Sequence, residues 1–253
     1  GFFAGLFGIG GGLISVPCLF FIFDTFNFEK DFLMHLTVGT AFAITIFTST
    51  ASVLTHRKNN LVDLKIVKSF GLFVVFGVLI GAFFAAFMKT KNLVLFFSVV
   101  VYFFGAYLML AREKVKIYKK NPSFFQRAIF GFLSGFISAP MGITGAMMNV
   151  PILRYFGFPI SKCIGSAAAI GFFISLFGAI SFSISGFYLD ANMPMSIGFI
   201  NLPAFLIFIP ITMFMARIGA NTSNKMDKPK LQRFFGIFLY VIGTLFLYRY
   251  LIL

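Results

Sequence analysis

Charged residues are scarce in this chain, and acidic residues are the scarcest of them. Only 11% of the 253 residues are charged and seven are Asp or Glu, whereas 59% are apolar. A soluble domain is about a quarter charged. This chain therefore cannot cover a water-facing surface of ordinary size, and lipid must surround most of it.

The residues that usually carry chemistry are equally rare. The sequence has two cysteines, two histidines, no tryptophan and no Cys-x-x-Cys pair. Cys18 and Cys163 are far apart, so they do not have the spacing of metal ligands. His35 and His56 lie at the ends of apolar runs, whereas an intramembrane serine nucleophile would need a base beside it. We expect no enzyme activity, no metal and no cofactor.

Basic residues outnumber acidic ones by 21 to seven, giving a formal net charge of +14. They lie in short loops between apolar runs and form no continuous face with aromatic residues. Membrane topology explains such a distribution better than nucleic-acid binding does. We therefore expect a lipid bilayer around the protein and no nucleic-acid partner.

Eight apolar runs make up most of the chain. Most of them have about the 20 residues needed to cross the hydrocarbon core of a bilayer. This pattern predicts an all-α polytopic membrane protein of the cell inner (plasma) membrane. The runs cover residues 1–23, 36–55, 66–87, 92–111, 128–156, 163–186, 196–216 and 234–253.

The first and fifth runs are interrupted near their centres. The first has four glycines between residues 8 and 12, followed by Pro17. The fifth has Ala-Pro-Met-Gly at residues 139–142, followed by Pro151. Proline removes a backbone donor and glycine permits an unwound link, so both runs are predicted to be broken helices.

The two halves of the chain match each other in order, which predicts an internal repeat. We assign residues 1–111 to the first repeat, 112–127 to a cytoplasmic linker and 128–253 to the second repeat. The matched pairs include Gly11 with Gly145, Ser15 with Asn149, Pro17 with Pro151, Thr40 with Ser166, Gly81 with Gly219 and Tyr102 with Tyr240.

The basic residues favour one arrangement of these repeats. If all eight runs spanned the membrane, each side would carry ten basic loop residues and no orientation would follow. If the two broken runs are re-entrant hairpins, seventeen basic residues fall on one side and three on the other. The positive-inside rule therefore favours two inverted repeats, each a broken or re-entrant hairpin plus three transmembrane helices.

The segment from Gly8 to Pro17, GIGGGLISVP, resembles the glycine-rich signature of the sulfite exporter TauE/SafE family, also called the toluene sulfonate uptake permeases. A second copy, from Gly142 to Pro151, lies where that family repeats the signature, although residues 139–141 intervene and Ala146 replaces a glycine. The resemblance covers the whole chain. It implies a transporter of small sulfur-containing or organic anions such as sulfite, sulfonates, sulfoacetate and thiosulfate.

The residues themselves also point to an anion. Transporters with inverted repeats and broken helices bind their substrate near the midplane, and a helix start with glycine lets an oxyanion approach its free N–H groups. We predict a substrate site formed by Gly10, Gly11, Gly12, Ser15, Thr40, Thr144, Gly145, Asn149 and Ser166. Weaker candidates are Thr37, Thr45, Ser49 and Ser138.

Other interpretations stay open at this stage. Close helix packing is the alternative for the glycines, and a bond to the preceding turn is the alternative for the serines and threonines. A passive anion channel could use the same site. The sequence leaves open the coupling ion (Na⁺ or H⁺), the transport direction and a homodimeric state.

Overall fold

The computed structural model describes residues 11–110, 122–223 and 228–252, and these are almost entirely helical. Gly10 and residues 112–121 of the predicted linker lie outside the described residues. The elements are α1 (Gly12–Thr25), α2 (Leu33–Lys58), α3 (Leu64–Ala86), α4 (Thr90–Leu110), α5 (Phe124–Met141), α6 (Ala146–Tyr155), α7 (Ile160–Tyr188), β1 (Ser196–Ile197), β2 (Ile200–Asn201), α8 (Leu202–Ser223) and α9 (Lys228–Ile252).

Five of the described helices are long and apolar enough to cross a membrane. They are α2, α3, α7, residues Thr90–Met109 of α4 and residues Arg233–Ile252 of α9. Helix α1 and the Leu202–Met215 part of α8 are apolar but shorter. The prediction of an all-α polytopic membrane protein is confirmed.

The fifth run is broken, and α5 ends within the predicted Ala-Pro-Met-Gly segment at residues 139–142. Helix α5 continues through Pro140 and ends at Gly142, which has a left-handed φ of 67°. The N–H group of Gly142 donates to the Ala139 oxygen and that of Ile143 donates to the Ser138 oxygen, both at 3.3 Å. This is a helix end of the Schellman type. Gly142, rather than Pro140, therefore stops the helix.

The start of the seventh run was predicted wrongly. Residues 196–201 form a two-stranded hairpin instead of the first turns of a helix. Gly198 has a φ of 56°, which allows the tight turn between the strands. Helix α8 begins only after Asn201, whose side-chain oxygen accepts a hydrogen bond of 3.0 Å from the Ala204 N–H group.

Helices α3 and α5 pack with their backbones in contact. A Cβ on Gly77 would collide with the Phe132 carbonyl oxygen, and a Cβ on Gly135 would collide with that of Val74. Gly131 faces Phe70, two turns before the contacts of Gly77. The contacts advance together along both helices, so the helices run parallel. Close packing accounts for these glycines.

Both ends of the α5–α6 hairpin lie at the same end of the bundle. Phe156, which follows α6, has its ring 5.9 Å from Phe70 in the second turn of α3 and 5.6 Å from Phe130 in the second turn of α5. Nearby, the Lys162 ammonium donates a 2.7 Å hydrogen bond to the Asn60 carbonyl oxygen. The loop between α2 and α3 therefore lies beside the loop between α6 and α7.

The opposite end of the bundle brings together other loops. The rings of Phe32 and Phe199 are 5.4 Å apart, which places the α1–α2 loop beside the α7–α8 loop. Asp24, at the end of α1, forms an ion pair with Arg249, near the end of α9. Elements from both halves of the chain therefore meet at each end.

Candidate functional site

Two glycines with the same backbone conformation begin the helices that follow the breaks. Gly11 precedes α1 with a φ of 84°, and Gly145 precedes α6 with a φ of 64°. The Ser15 N–H group donates to the Gly11 oxygen at 2.9 Å, and the Asn149 N–H group donates to the Gly145 oxygen at 2.8 Å. The first N–H groups of any helix have no intrahelical acceptor and carry partial positive charge. Glycine has no side chain that could accept from them, so they stay available to a ligand.

The start of α1 is in contact with the break between α5 and α6. A Cβ on Gly12 would lie only 2.6 Å from the Gly142 oxygen and 2.9 Å from the Ile143 Cα atom. A Cβ on Gly142 would lie 2.8 Å from a methyl group of Val16. The structure therefore brings Gly12 of the first half against Gly142 and Ile143 of the second half, with no room for a side chain between them.

Two polar side chains lie beside Gly145, in the second break. The ideal Cβ position of Gly145 is 2.9 Å from the Ser138 hydroxyl oxygen and 3.1 Å from the Asn149 side-chain nitrogen. Ser138 is fully buried and Asn149 is 3% exposed. Neither the Ser138 Oγ atom nor the Asn149 Nδ2 atom has a hydrogen-bond partner among the described residues. Two buried donors thus converge on the start of α6.

The surroundings of these donors are neutral. Every buried polar side chain in the described ranges is a serine, a threonine, an asparagine or His35, with no Lys, Arg, Asp or Glu. The Ile174 side chain closes one side, with its Cδ1 atom 2.7 Å from the Gly145 Cβ position. An amide nitrogen can only donate, so the centre suits a ligand that accepts hydrogen bonds.

The family described as sulfite exporter TauE/SafE matches residues 1–246. This chain belongs to the sulfite exporter TauE/SafE family. The earlier resemblance is therefore confirmed, and the protein is a membrane transporter of this family.

Relatives of this TauE/SafE protein carry general names. A protein of Haemophilus influenzae is 30% identical over 243 residues, covering 96% of this chain and 92% of the relative. One from Methanocaldococcus jannaschii is 26% identical, covering 98% and 91%. Each is called a "probable membrane transporter protein". No solved structure matches the chain.

Two predicted site residues of this TauE/SafE protein have other partners. The Thr40 hydroxyl oxygen accepts a 2.9 Å hydrogen bond from the Asn201 N–H group. The Ser166 hydroxyl oxygen accepts one of 3.0 Å from the Asp63 N–H group. Asp63 directly precedes α3, and Asn201 is the last residue of β2 and directly precedes α8. Both hydroxyls therefore accept hydrogen bonds from N–H groups at helix starts. Neither hydroxyl is among the three atoms nearest to the Gly145 Cβ position.

The other candidate residues lie in different surroundings. Thr144 lies in the second break, where its backbone oxygen is 3.0 Å from the Cβ position of Gly171 in α7. Ser15 is buried on α1. Thr37 donates to the Leu33 oxygen of its own helix, and Thr45 bonds to Ser175 at 3.0 Å. Thr37 and Thr45 each donate to a carbonyl oxygen in the preceding turn of their own helix, which is the alternative interpretation for serines and threonines.

Sequence reasoning missed one residue at the centre, Ser134. Its hydroxyl donates a 2.7 Å hydrogen bond to the Asn149 side-chain oxygen, and it is fully buried. The available signal was its spacing: Ser134 and Ser138 are four residues apart, so they lie on one face of α5.

Proposed function

We propose that this transporter moves a small sulfur-containing or organic anion, of the sulfite, sulfonate, sulfoacetate or thiosulfate class, across the cell inner membrane. The anion binds where the two glycine breaks meet. The observation that carries the proposal is the pair of buried donors, Asn149 Nδ2 and Ser138 Oγ, which have no partner in the described protein and face the start of α6.

The energetics of these donors support an anionic ligand. Leaving a buried polar group without a partner costs about 1–3 kcal/mol, and a hydrogen bond to a charged group contributes about 1.5–3 kcal/mol. An oxyanion that accepts from Asn149, Ser138 and the first N–H groups of α6 removes the cost of the unpaired donors, and the new hydrogen bonds contribute to its binding free energy. It also interacts favourably with the positive end of the helix dipole.

The proposed architecture is two inverted repeats, each with a hairpin and three transmembrane helices. Reciprocal contacts support it. A Cβ on Gly105 would lie 3.2 Å from the Tyr240 ring, and a Cβ on Gly243 would lie 3.2 Å from the Tyr102 ring. In the repeat alignment Tyr102 matches Tyr240 and Gly105 matches Gly243. Exchanging the two halves therefore reproduces the contact, as a two-fold axis between α4 and α9 requires.

The loop contacts support re-entrant hairpins over eight spanning segments. With eight spans, the α2–α3 loop and the α6–α7 loop would lie on opposite faces of the membrane. In the structure the Lys162 ammonium reaches the Asn60 oxygen between these same loops. With re-entrant hairpins both loops lie on one face, which is the cytoplasmic face by the distribution of basic residues.

The contact between the breaks favours a carrier over a passive channel. Gly12 and Gly142 touch at the centre, so the backbone itself blocks a continuous path there. An anion can pass only if the two breaks separate, and this movement can alternate access between the two faces. Saturable uptake with counterflow in vesicles is the expected behaviour, whereas a channel would show flux without counterflow.

The proposal is tested by anion binding and flux in purified protein. Thermal shift and vesicle flux are measured with sulfite, thiosulfate, sulfoacetate, methanesulfonate and acetate. Asn149→Asp places a negative charge at the centre and should abolish both signals, while Asn149→Ser should retain weak binding.

The matched control for this charge change is Asn192→Asp, which adds the same charge in the exposed α7–α8 loop and should behave like the wild type. If Asn149→Asp transports as well as the wild type, or if no anion gives a signal with the wild type, the proposed site is wrong.

A further inference from the structure

Ser134 is held firmly in the helix that carries it. The next residue, Gly135, lies against the Val74 carbonyl oxygen, and Gly131 lies against Phe70 and Phe73. The backbone around Ser134 therefore cannot shift without breaking the contact between α3 and α5. From this fixed position its hydroxyl donates to the Asn149 Oδ1 atom at 2.7 Å.

The two ends of the Asn149 side chain have opposite properties. Oδ1 can only accept a hydrogen bond and Nδ2 can only donate one. A half-turn of the amide group would exchange them. The end that faces Gly145 therefore decides whether the side chain attracts a hydrogen-bond acceptor, such as an anion, or a donor.

In the structure the amide takes one of these orientations, with Oδ1 accepting the hydrogen bond from the Ser134 hydroxyl. Because Oδ1 takes the Ser134 proton, Nδ2 is left facing Gly145, 3.1 Å from its Cβ position. Resting on the proposed function above, we propose that Ser134 is a positioning and specificity-determining residue that holds the Asn149 amide as a donor toward the anion. Ser134 itself does not touch the substrate.

Removing the Ser134 hydroxyl frees the amide to turn. Asn149 lies in the first turns of α6, and helical side chains lean toward the helix N-terminus. A freed Oδ1 atom can therefore accept from the N–H groups at the start of α6, which the anion would otherwise use. Ser134→Ala should weaken anion binding although the substituted side chain makes no contact with the anion.

A double-mutant cycle tests this dependence. The dissociation constant for sulfite is measured for the wild type, Ser134→Ala, Asn149→Ala and the double variant. Ser134→Ala should weaken binding about tenfold in the wild-type background, the effect of losing one well-placed hydrogen bond. In the Asn149→Ala background it should have no further effect, because Ser134 acts only through Asn149. Ser134→Thr, which keeps the hydroxyl, should restore binding.

Folding is controlled with a matched substitution. Ser175 is also fully buried, and its hydroxyl donates to the Gly171 oxygen of its own helix. Ser175→Ala should leave the dissociation constant for sulfite unchanged. If Ser134→Ala does not fold, Ser134→Cys keeps the shape with a weaker donor and replaces it in the cycle.

The outcomes separate the inference from the proposed function. If Ser134→Ala binds sulfite like the wild type, or if it weakens binding equally in both backgrounds, Ser134 does not act through the amide and the inference is wrong, while the proposed site stands. If the wild type binds none of the anions, the proposed function fails and this inference fails with it.

Discussion

Gly12 is the residue at which the two halves of the chain meet most closely. The Cβ of an alanine there would lie 2.6 Å from the Gly142 oxygen, a backbone atom that cannot move aside alone. Gly12→Ala should therefore push the two breaks apart. We expect loss of sulfite binding and a loss of stability of about 1–3 kcal/mol, the usual range for overpacking, measured by thermal unfolding and by binding.

A second glycine provides the control for this prediction. Gly71 is inside α3, and a Cβ there would meet only one methyl group of Val67, at 3.9 Å. Because alanine favours a helix over glycine by about 1 kcal/mol, Gly71→Ala should leave the protein unchanged or slightly more stable. A Gly12→Ala variant as stable and as active as Gly71→Ala would contradict the close contact between the breaks.

At the scale of residues, the sequence identified some site members and missed others for physical reasons. Asn149 was predictable because a buried amide in lipid is costly without a partner and because the repeat matches it with Ser15. Ser134 was not, since its role depends on how far α6 folds back along α5. Thr40 and Ser166, a pair in the repeat alignment, each accept a hydrogen bond from an N–H group at a helix start, and the sequence could not tell such a hydroxyl from a ligand-binding one.

At the scale of elements, two helix starts are held by the other half of the chain. In the repeat alignment Thr40 matches Ser166, and they receive hydrogen bonds from Asn201 and Asp63 respectively. A hydroxyl in each half of the chain therefore holds the start of a helix in the other half. These hydrogen bonds are buried contacts between halves that must move relative to each other if access alternates.

Removing either hydroxyl should destabilise the protein. Thr40→Val leaves the Asn201 N–H group without this partner, and Ser166→Ala does the same for Asp63. Each should cost about 1–3 kcal/mol, the penalty of an unsatisfied buried donor, measured as a lower midpoint of thermal unfolding. Direct contact with the anion predicts a different result, namely normal stability with lost binding.

Thr37 is the matched control in the same helix. It is as fully buried as Thr40, but its hydroxyl only donates to the Leu33 oxygen of its own helix, at 2.8 Å. Thr37→Val leaves no donor unsatisfied, so it should change stability less than Thr40→Val. Equal losses of stability in the two variants would show that the hydrogen bond between Thr40 and Asn201 does not stabilise the protein.

Helix existence was easier to predict than helix ends. Long apolar runs indicated the spanning helices because lipid forces the backbone to satisfy its own hydrogen bonds. The start of α8 was misplaced by several residues, because a turn at Gly198, which has a positive φ, makes residues 196–201 a hairpin. The sequence does not reveal which of many glycines adopts that conformation.

At the scale of the whole molecule, the arrangement of the loops follows from how the hairpins enter the membrane. Re-entrant hairpins place the α2–α3 and α6–α7 loops on the cytoplasmic face, and the α1–α2 and α7–α8 loops on the other face. Eight spanning segments would instead pair α2–α3 with α7–α8 and α1–α2 with α6–α7. Four single cysteines, one in each loop, therefore distinguish the two arrangements completely.

The four positions can be chosen without altering any charge, so that the positive-inside signal is preserved. Exposed residues are available at Phe26, Asn59, Ser161 and Asn192. The background carries Cys18→Ser and Cys163→Ala, because Cys18 is exposed on α1. Each cysteine is labelled with a membrane-impermeant maleimide in right-side-out and in inverted vesicles.

We expect the cysteines at Asn59 and Ser161 to react only in inverted vesicles and those at Phe26 and Asn192 only in right-side-out vesicles. The first two lie beside the Lys162–Asn60 hydrogen bond, and the last two lie near the Phe32–Phe199 contact, so each pair must share a face if the packing is correct. Labelling of Asn59 together with Asn192 would mean that the broken runs cross the membrane. The helix starts at Gly11 and Gly145 would then point in the same direction, and they could not approach one anion from opposite faces.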